Sequence, residues 1–370
     1  MRIALYSLSF APTLGGLERF GEDLAEWLTE AGHEVDVVTA TGAEASADRH
    51  RPYQVVRTGS PAAALAVLRR ADVVHVSGLS LRGIGLGRLA NRPLVVTHHG
   101  YQAVCPTGLM MTRADPCEAD GRQPGPCASC PGAGARGRAS VLAHRLGARA
   151  CHANVGVSRY LTRRIGVPRS RAIHNGLTPR ALAQAAEGPG EEGLIAFAGR
   201  LVEEKGLDLL IRALPSVPAA RLHVAGDGPL RGDLQRLAND VGVTDRVRLL
   251  GRLPPEEVQA LYARAAVVCI PSRWHEPFGY AVSEAMALGR PIVATPMGAF
   301  TELLEGGRGF LAEAVTPEAL AWALRQALED PDARAAAGRA ARTFAHRELG
   351  IDAIGRAYVE LYDSVARGRA

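Results

Sequence analysis

Two glutamates in PSRWHEPFGYAVSEAMALGRPIVAT, residues 271–295, have a type and spacing that could do chemistry. Glu276 falls in a loop held by Pro277 and Gly279, and Glu284 falls on the predicted helix that follows. A carboxylate at such a place can accept a bidentate pair of hydrogen bonds from a diol. A solvated glutamate on a helix surface is the alternative for either residue alone, and the spacing around Pro-Phe-Gly argues against it.

Three further stretches accompany this one in chain order: GGLERF at 15–20, AGRLVEEKGLDLLIRAL at 198–214 and VAGDGPLRGDL at 224–234. Together with RWHEPFGYAVSE they resemble the ordered motifs of the family 4 retaining glycosyltransferases, whose signature is Glu, seven residues, Glu. The resemblance covers nearly the whole chain. It implies the α/β GT-B fold, in which two Rossmann-like, doubly wound parallel-sheet domains face one cleft. It also implies a hexosyltransferase-type enzyme whose donor substrate is a nucleotide-diphosphate sugar.

The resemblance assigns roles to the residues around the two glutamates. Glu284 would bind the ribose hydroxyls of the nucleotide, and Glu276 would contact the hydroxyls of the donor sugar. The loop at Phe278 and Gly279 would offer backbone N–H groups to the sugar or the phosphate. We therefore expect the donor to bind in the second half of the chain.

The same resemblance places Arg200 and Lys205 at the diphosphate leaving group. Departure of a nucleoside diphosphate develops negative charge, which fixed cations stabilise. We see no Asp-x-Asp sequence placed to suggest a metal-dependent transferase, so we expect no catalytic metal. The family is described by a front-face mechanism, so we name no protein nucleophile. A glycosidase-like pair formed by Glu276 and Glu284 is the alternative, and the basic residues argue against it because they imply a phosphate leaving group.

Gly15 and Gly16 lie between a predicted strand and the start of a helix. Backbone N–H groups at a helix N-terminus form an anion site, and glycine lets a pyrophosphate approach closely. A plain turn is the alternative. A dinucleotide dehydrogenase would require Gly-x-Gly-x-x-Gly with an acidic residue about 20 positions later, and GGLERF does not fit that pattern.

Two histidines end the strand in VVTHHGYQAVCP. By resemblance, His99 takes the place of a family histidine at the donor sugar, near the site of reaction, and Gly100 replaces the aspartate that follows it. His98 is the alternative, and a buried histidine at a strand end is a second one. Asn175, in RAIHNGL, matches the Asn-Gly turn at the family's interdomain crossover.

Four cysteines fall close together in a Gly- and Pro-rich insert, residues 101–138: Cys105, Cys117, Cys127 and Cys130. In a cytosolic chain this pattern favours a structural zinc site. The spacing is irregular, so a disulfide and free thiols remain alternatives. The insert begins on the N-terminal domain, which handles the acceptor in this fold, and we interpret it as an acceptor-side lid.

The net charge of +5 and pI near 9.0 fit an anionic ligand or a membrane surface, although an Arg-rich composition also produces them. No nucleic-acid motif accompanies the charge. The basic stretch SRYLTRRIGVPRSR would suit an anionic lipid surface, and a solvated helix is the alternative. The chain shows neither a signal peptide nor a run of about 18 apolar residues. We expect a cytoplasmic protein, with peripheral contact to the inner membrane face as an option.

Strand, helix and strand alternate from RIALYSLS onward, and the alternation restarts at LIAFAG. This is the pattern of parallel α/β sheets. We predict an N-terminal acceptor-side domain at 1–176, a linker at 177–191, a C-terminal nucleotide-sugar-binding domain at 192–345, and a C-terminal helix at 346–370 that packs on the N-terminal domain.

The predicted function is transfer of a sugar, with retention, from a nucleotide-diphosphate sugar to an acceptor hydroxyl. The acceptor could be a cell-surface polysaccharide, a lipid-linked intermediate or a natural product. A GT-B-fold nucleotide-sugar epimerase or another sugar-nucleotide enzyme is the alternative, and a non-enzymatic sugar-nucleotide-binding protein is a third interpretation. Donor base, sugar and oligomeric state are left open.

Overall fold

The structure is a computed structural model that describes residues 1–13, 15–44, 46–112, 115–117, 130 and 134–368. Its strands are β1 Arg2–Ser7, β2 Glu34–Thr39, β3 Gln54–Arg57, β4 Val73–Ser77, β5 Leu94–His98, β6 Met111–Thr112, β7 Asp115–Pro116, β8 Ala153–Gly156, β9 Ser170–Ala172, β10 Glu191–Ala198, β11 Arg221–Ala225, β12 Val247–Gly251, β13 Ala265–Ile270, β14 Ile292–Ala294 and β15 Phe310–Leu311. Its helices are α1 Gly16–Glu30, α2 Pro61–Leu68, α3 Leu81–Ala90, α4 Ala135–Arg149, α5 Arg159–Ile165, α6 Pro179–Ala183, α7 Leu207–Ala213, α8 Arg231–Asp240, α9 Pro255–Arg264, α10 Tyr280–Leu288, α11 Phe300–Leu303, α12 Pro317–Glu329, α13 Pro331–Glu348 and α14 Ile351–Ala366.

The chain divides into two compact units. Unit 1 comprises Met1–Met110, Glu118–Thr178 and Gly350–Ala370, and unit 2 comprises Met111–Cys117 and Pro179–Leu349. Within the predicted linker 177–191, the structure has the short helix α6 and the first residue of β10.

Unit 1 is built on a parallel sheet with the strand order β3-β2-β1-β4-β5-β8-β9. All five residues of β4 and all five of β5 are buried, as expected for strands covered on both faces. The order reverses between β1 and β4, so this sheet has a switch point at which loops diverge.

Helices α1 and α14 cover unit 1 with apolar faces. In α1, Phe20, Leu24 and Leu28 recur every four residues and are all nearly or fully buried. Helix α14 contributes Tyr358 and Tyr362 to the same core. The last helix of the chain is therefore part of the hydrophobic core of unit 1.

Unit 2 is built on a second parallel sheet, with the order β12-β11-β10-β13-β14-β15. Its switch point lies between β10 and β13. The predicted α/β class with two parallel-sheet domains is confirmed.

Two capped helices close one side of unit 2. Thr316 accepts a hydrogen bond from the backbone of Ala319 at the start of α12, and Asp330 does the same for α13. Gly338 lets α13 approach the end of α10, because a Cβ there would lie 2.3 Å from the Gly289 carbonyl oxygen. Among the described residues, no helix combines the length and apolar character needed to cross a bilayer.

Candidate functional site

The switch point of unit 2 brings together two segments that lie far apart in the sequence. One follows β10 and includes a 3₁₀ turn at Glu203–Lys205, and the other follows β13 and contains Glu276. Because β10 and β13 are adjacent parallel strands, the loops at their carboxyl ends open at the same edge of the sheet.

Lys205 and Glu276 form an ion pair at this edge, with Nζ 2.6 Å from Oε1. Their side chains are 22% and 7% exposed, so the pair is largely shielded from water. The Ser272 hydroxyl lies 3.2 Å from the same Glu276 oxygen. Charge-assisted contacts of this length are stronger than neutral hydrogen bonds. The pair therefore fixes a cation and a carboxylate in one place.

Two glycines allow the backbone to make this arrangement. Gly206 has a φ of +63°, and a Cβ there would lie 2.0 Å from the Pro271 carbonyl oxygen. Gly298 has a φ of +65° and would place a Cβ 2.3 Å from the Glu276 carbonyl oxygen. That carbonyl accepts a hydrogen bond of 2.8 Å from Ala299. Glu276 is thus held through its main chain as well as through its side chain.

Arg200 and Trp274 lie around the ion pair. The Arg200 guanidinium is 69% exposed and lies 3.1 Å from a Glu204 carboxylate oxygen. The Lys205 ammonium lies 5.4 Å from the centre of the Trp274 ring, within cation–π range. Of the two predicted phosphate cations, Lys205 is therefore fixed by its neighbours and Arg200 is accessible.

Glu284 lies on α10, half-buried, in the second turn of that helix. Its carboxylate adds to burial in raising the pKa of Tyr262, a fully buried side chain. Gly279 caps α10 with a φ of +98°, and a Cβ there would lie 2.5 Å from the Phe300 ring. Phe278 is 2% exposed, so its ring lies in the interior of the unit.

In unit 1, Gly15 and Gly16 lie at the start of α1, and both are exposed. The Glu18 carboxylate occupies the space beside Gly15, where a Cβ would lie 2.4 Å from Oε2. Glu18 also accepts a hydrogen bond from the Ser9 hydroxyl. A carboxylate of the protein itself therefore lies next to this helix N-terminus.

His99 immediately follows β5, and its ring centre lies 4.8 Å from that of Phe20. Its Nε2 atom is buried and has no hydrogen-bond partner within the described ranges. Burial, together with His75 and His98, lowers the pKa of His99 to about 3. The ring is therefore neutral at physiological pH.

His98, the alternative, is held inside unit 1. Its Nε2 lies 3.0 Å from the Asn154 side-chain oxygen, while the Asn154 amide nitrogen donates to the Ala148 and Pro168 carbonyls. His98 Nε2 is therefore the donor, and burial lowers the pKa of this ring to about 4.

The remaining predicted residues are placed as follows. Asn175 is buried, and its side-chain oxygen has no hydrogen-bond partner in the part of the chain described. Cys105 is buried and accepts a hydrogen bond of 3.4 Å from the Met110 backbone. Cys127 lies outside the described residues. Within those residues, no group of three or more His, Cys, Asp or Glu is arranged to hold a metal ion.

Sequence reasoning missed Ser272, Trp274, Gly206 and Gly298 at this site. The first three lie within quoted motifs, so their positions in the chain were a usable signal. Gly298 follows strand β14, and its part in fixing Glu276 depends on a contact that no local pattern reveals.

Two family models match adjacent parts of the chain. One is described as "Glycosyltransferase Family 4" and matches residues 14–180, and the other is described as "Glycosyl transferases group 1" and matches residues 180–344. Together they account for most of both units.

Individual proteins give the same picture. A GDP-mannose-dependent alpha-(1-6)-phosphatidylinositol monomannoside mannosyltransferase from Mycolicibacterium smegmatis is 36% identical over 177 residues, 45% of this chain and 46% of that protein. The aligned part spans less than half the length of the first curated relatives that the chain matches.

Among solved structures, HepE from Anabaena in complex with UDP has a TM-score of 0.77 at 21% identity, covering 98% of this chain and 100% of that one. Sucrose-phosphate synthase from Thermosynechococcus elongatus has the same TM-score and identity, covering 99% of each chain. At these identities the likeness establishes the fold, which is that of the GT-B glycosyltransferases.

Proposed function

The chain carries group 1 and family 4 glycosyltransferase domains on a GT-B fold, and from this premise we propose that it transfers a sugar from a nucleotide-diphosphate sugar to an acceptor hydroxyl, with retention of configuration. The observation that carries the proposal is the Lys205–Glu276 pair, 2.6 Å apart at the switch point of unit 2. It provides one group for a phosphate and one for sugar hydroxyls at a single place.

Lys205 and Arg200 neutralise the diphosphate in this proposal. An ammonium has three N–H donors, so Lys205 can keep its contact with Glu276 and still donate to a phosphate oxygen. Arg200 is exposed and can turn towards the leaving group as its charge develops. With two cations available, we propose that the reaction needs no catalytic metal.

Glu276 and Glu284 orient the donor. The ionised Glu276 accepts hydrogen bonds from sugar hydroxyls, and Glu284, on the next helix, accepts them from the ribose. Backbone N–H groups at Phe278 and Gly279 add neutral donors at the start of α10.

In unit 1, we propose that His99 acts at the donor sugar as a neutral hydrogen-bonding ring, an assignment supported by its unpartnered Nε2. We propose that Gly15 and Gly16 bind the donor through their backbone N–H groups, which requires the Glu18 carboxylate beside Gly15 to move aside. We assign Asn175 a supporting place beside the crossover. The matching transferase families argue against the epimerase alternative.

Calorimetric titration with UDP, GDP, dTDP and ADP tests the donor site. UDP and GDP come first because HepE is described in complex with UDP and the M. smegmatis relative is named as GDP-mannose-dependent. We expect one diphosphate to bind tightly and to bind more weakly to the Lys205→Ala and Glu284→Ala variants. Absence of binding by every diphosphate would overturn the proposal.

The anomeric configuration of the product tests retention. With an α-linked donor, the new linkage observed by proton NMR should be α, and a β linkage would contradict a retaining reaction. Activity after exhaustive chelation by EDTA tests the absence of a catalytic metal.

A further inference from the structure

A second cavity in unit 2 has no part in the proposed transfer. It lies between α13, the end of α10 and the segment 185–189, and has a volume of about 330 Å³. Four arginines line it, namely Arg290, Arg334, Arg339 and Arg342, and no Asp or Glu is among its lining residues. Its volume lies at the lower end of the range for small-molecule sites.

None of the four guanidinium groups forms an ion pair with a carboxylate among the described residues. Three of them donate to backbone carbonyls instead. Arg334 donates to Ala327 and Leu328, at the end of α12. Carbonyl oxygens satisfy N–H groups but leave the positive charge uncompensated. The cavity therefore concentrates positive charge, and no carboxylate of the described residues pairs with it.

Arg290 is the deepest of the four. It is 2% exposed, and its terminal nitrogens donate to the Gly188, Glu187 and Ala263 carbonyls. Its Nε is buried and has no partner within the described part of the chain. Burial and the nearby Arg334 lower the pKa of Arg290, which is consistent with repulsion between like charges.

Arg342 and Arg339 complete the lining from α13. Arg342 donates through one terminal nitrogen to the Gln184 and Ala287 carbonyls, which leaves its other N–H groups available. Arg339 is exposed and makes no hydrogen bond or ion pair through its side chain in the described residues. Planar guanidinium groups match phosphate oxygens in pairs.

We propose that this cavity is a binding site for a phosphoryl or diphosphoryl group, separate from the site of Lys205 and Glu276. The anion supplies the negative charge that the four arginines lack. Apolar lining residues such as Leu288 and Pro189 cover the remainder of a small phosphorylated molecule. The same chemistry could come from a soluble metabolite or from a lipid headgroup.

Occupation of the site would also fix a segment of the backbone. Arg290 and Arg342 already hold the carbonyls of residues 184, 187 and 188. An anion that bridges these arginines keeps them in place, so the bound ligand stabilises the segment 184–190.

Titration of inorganic pyrophosphate into the full-length Lys205→Ala variant tests the site without competition from the donor site. We expect one equivalent to bind, and Arg339→Glu in that background to weaken binding by roughly tenfold or more, because charge-assisted contacts to phosphate are strong. Arg339 is exposed, so this change should leave the fold intact. Arg356→Glu, an exposed change of the same charge on α14, is the control and should have little effect.

Amide hydrogen exchange in the unmodified protein shows whether the pyrophosphate binds at this cavity. Pyrophosphate should slow exchange of the amides at 184–190, and Arg339→Glu should abolish that protection. If pyrophosphate fails but vesicles containing phosphatidic acid bind in an Arg339-dependent way, the phosphoryl group belongs to a lipid. Binding of neither probe, or equal weakening by both charge reversals, would overturn the proposal. Loss of pyrophosphate binding here would not affect diphosphate binding at Lys205, so the two proposals fail separately.

Discussion

At the scale of single residues, the candidate site depends on a carboxylate that is buried beside a cation. Changing Glu276 to Gln keeps the size of the side chain but removes its charge, so Lys205 loses its ion-pair partner. Under the proposed function, the donor sugar also loses a charged hydrogen-bond acceptor. Hydrogen bonds to charged groups contribute about 1.5–3 kcal/mol, and about 1.4 kcal/mol corresponds to a factor of ten. We expect kcat/KM for transfer to fall by roughly 10- to 100-fold.

The matched control for this variant is Glu204→Gln, which removes a carboxylate paired with the exposed Arg200. Exposed ion pairs contribute about 0–1 kcal/mol, so kcat/KM should change only a few-fold. Equal losses in the two variants would show that the local net charge matters and that the position of Glu276 does not.

Gly206 gives a second prediction at this scale. Gly206 has a φ of +63°, and Gly206→Ala would place a Cβ 2.0 Å from the Pro271 carbonyl oxygen. Gly242 has a similar φ of +71°, but the Cβ of Gly242→Ala would have no atom within 4 Å. A left-handed alanine costs about 1–2 kcal/mol, so Gly242→Ala should lose about that much stability. Gly206→Ala should lose more, because a backbone oxygen must move as well. Urea denaturation measures both, and equal losses would show that the loop relaxes freely.

Some residues at the candidate site could be predicted from the sequence, and others were identified only in the structure. Glu276 and Glu284 were singled out by their type and spacing, and the roles of both, together with those of Lys205 and Arg200, were implied by the family resemblance. Ser272 has its role only because the fold brings its hydroxyl within 3.2 Å of Glu276. Ser272 lies only four residues before Glu276, and the conformation of the loop between them, which the sequence does not reveal, decides whether the two side chains meet.

At the scale of elements, helix α1 contains a largely buried carboxyl group, that of Asp23, whose ionised form lowers the stability of the folded protein. The Asp23 side chain is 14% exposed and lies 3.6 Å from Arg19. Burial raises the pKa of Asp23 from its ordinary value to about 6, against the opposing effect of Arg19. Because the folded-state pKa lies above the unfolded-state value, ionisation of Asp23 above pH 6 destabilises the folded state.

Asp23→Asn should therefore stabilise the protein at pH 7.5. One pKa unit corresponds to about 1.4 kcal/mol, so the gain is at most about 2–3 kcal/mol. It should shrink as the pH falls from 6 towards 4, where Asp23 becomes protonated in the folded protein. Denaturation of both proteins at pH 7.5 and 4.5 checks this. A gain that does not vary with pH would arise from packing and would contradict the assignment.

The regular elements of the fold were predictable for a physical reason. Strand β13 is buried along its whole length, so its sequence is a continuous apolar run. Helix α1 shows its buried face as a repeat of three and four residues. The 3₁₀ turn at Glu203–Lys205 has no such repeat, and it forms where Gly206 adopts a positive φ.

At the scale of the whole molecule, the two units are not consecutive segments of the chain, because the end of the chain belongs to unit 1. The first six of the seven strands in the sheet of unit 1 follow the same order as the six strands of unit 2. Each order reverses once, between the first and fourth strands of its sheet, and in unit 2 the ion pair lies at that reversal. The final segment of the chain, from Gly350, belongs to unit 1 although it follows unit 2 in the sequence. Unit 1 is therefore complete only when the last helix has been made.

Helix α14 joins unit 1 through buried polar contacts as well as apolar ones. The Tyr362 hydroxyl lies 2.7 Å from His75 Nδ1, His75 Nε2 lies 2.8 Å from the Thr97 hydroxyl, and that hydroxyl lies 3.0 Å from Tyr358. Removing α14 would leave His75 Nδ1 without its partner in an apolar core and take one of two contacts from Thr97, and each unsatisfied group costs about 1–3 kcal/mol.

Deletion of residues 350–370 should consequently unfold unit 1 and leave unit 2 with its own sheet and core. We expect scanning calorimetry to show loss of the transition that belongs to unit 1, and a transition from unit 2 to persist. Hydrogen exchange should show β1 and β4 unprotected while β10 and β13 stay protected. The control is deletion of residues 368–370 alone, which lie beyond α14. If the longer deletion left β1 and β4 protected, α14 would be an accessory helix, and the core of unit 1 would be stable without Tyr358 and Tyr362.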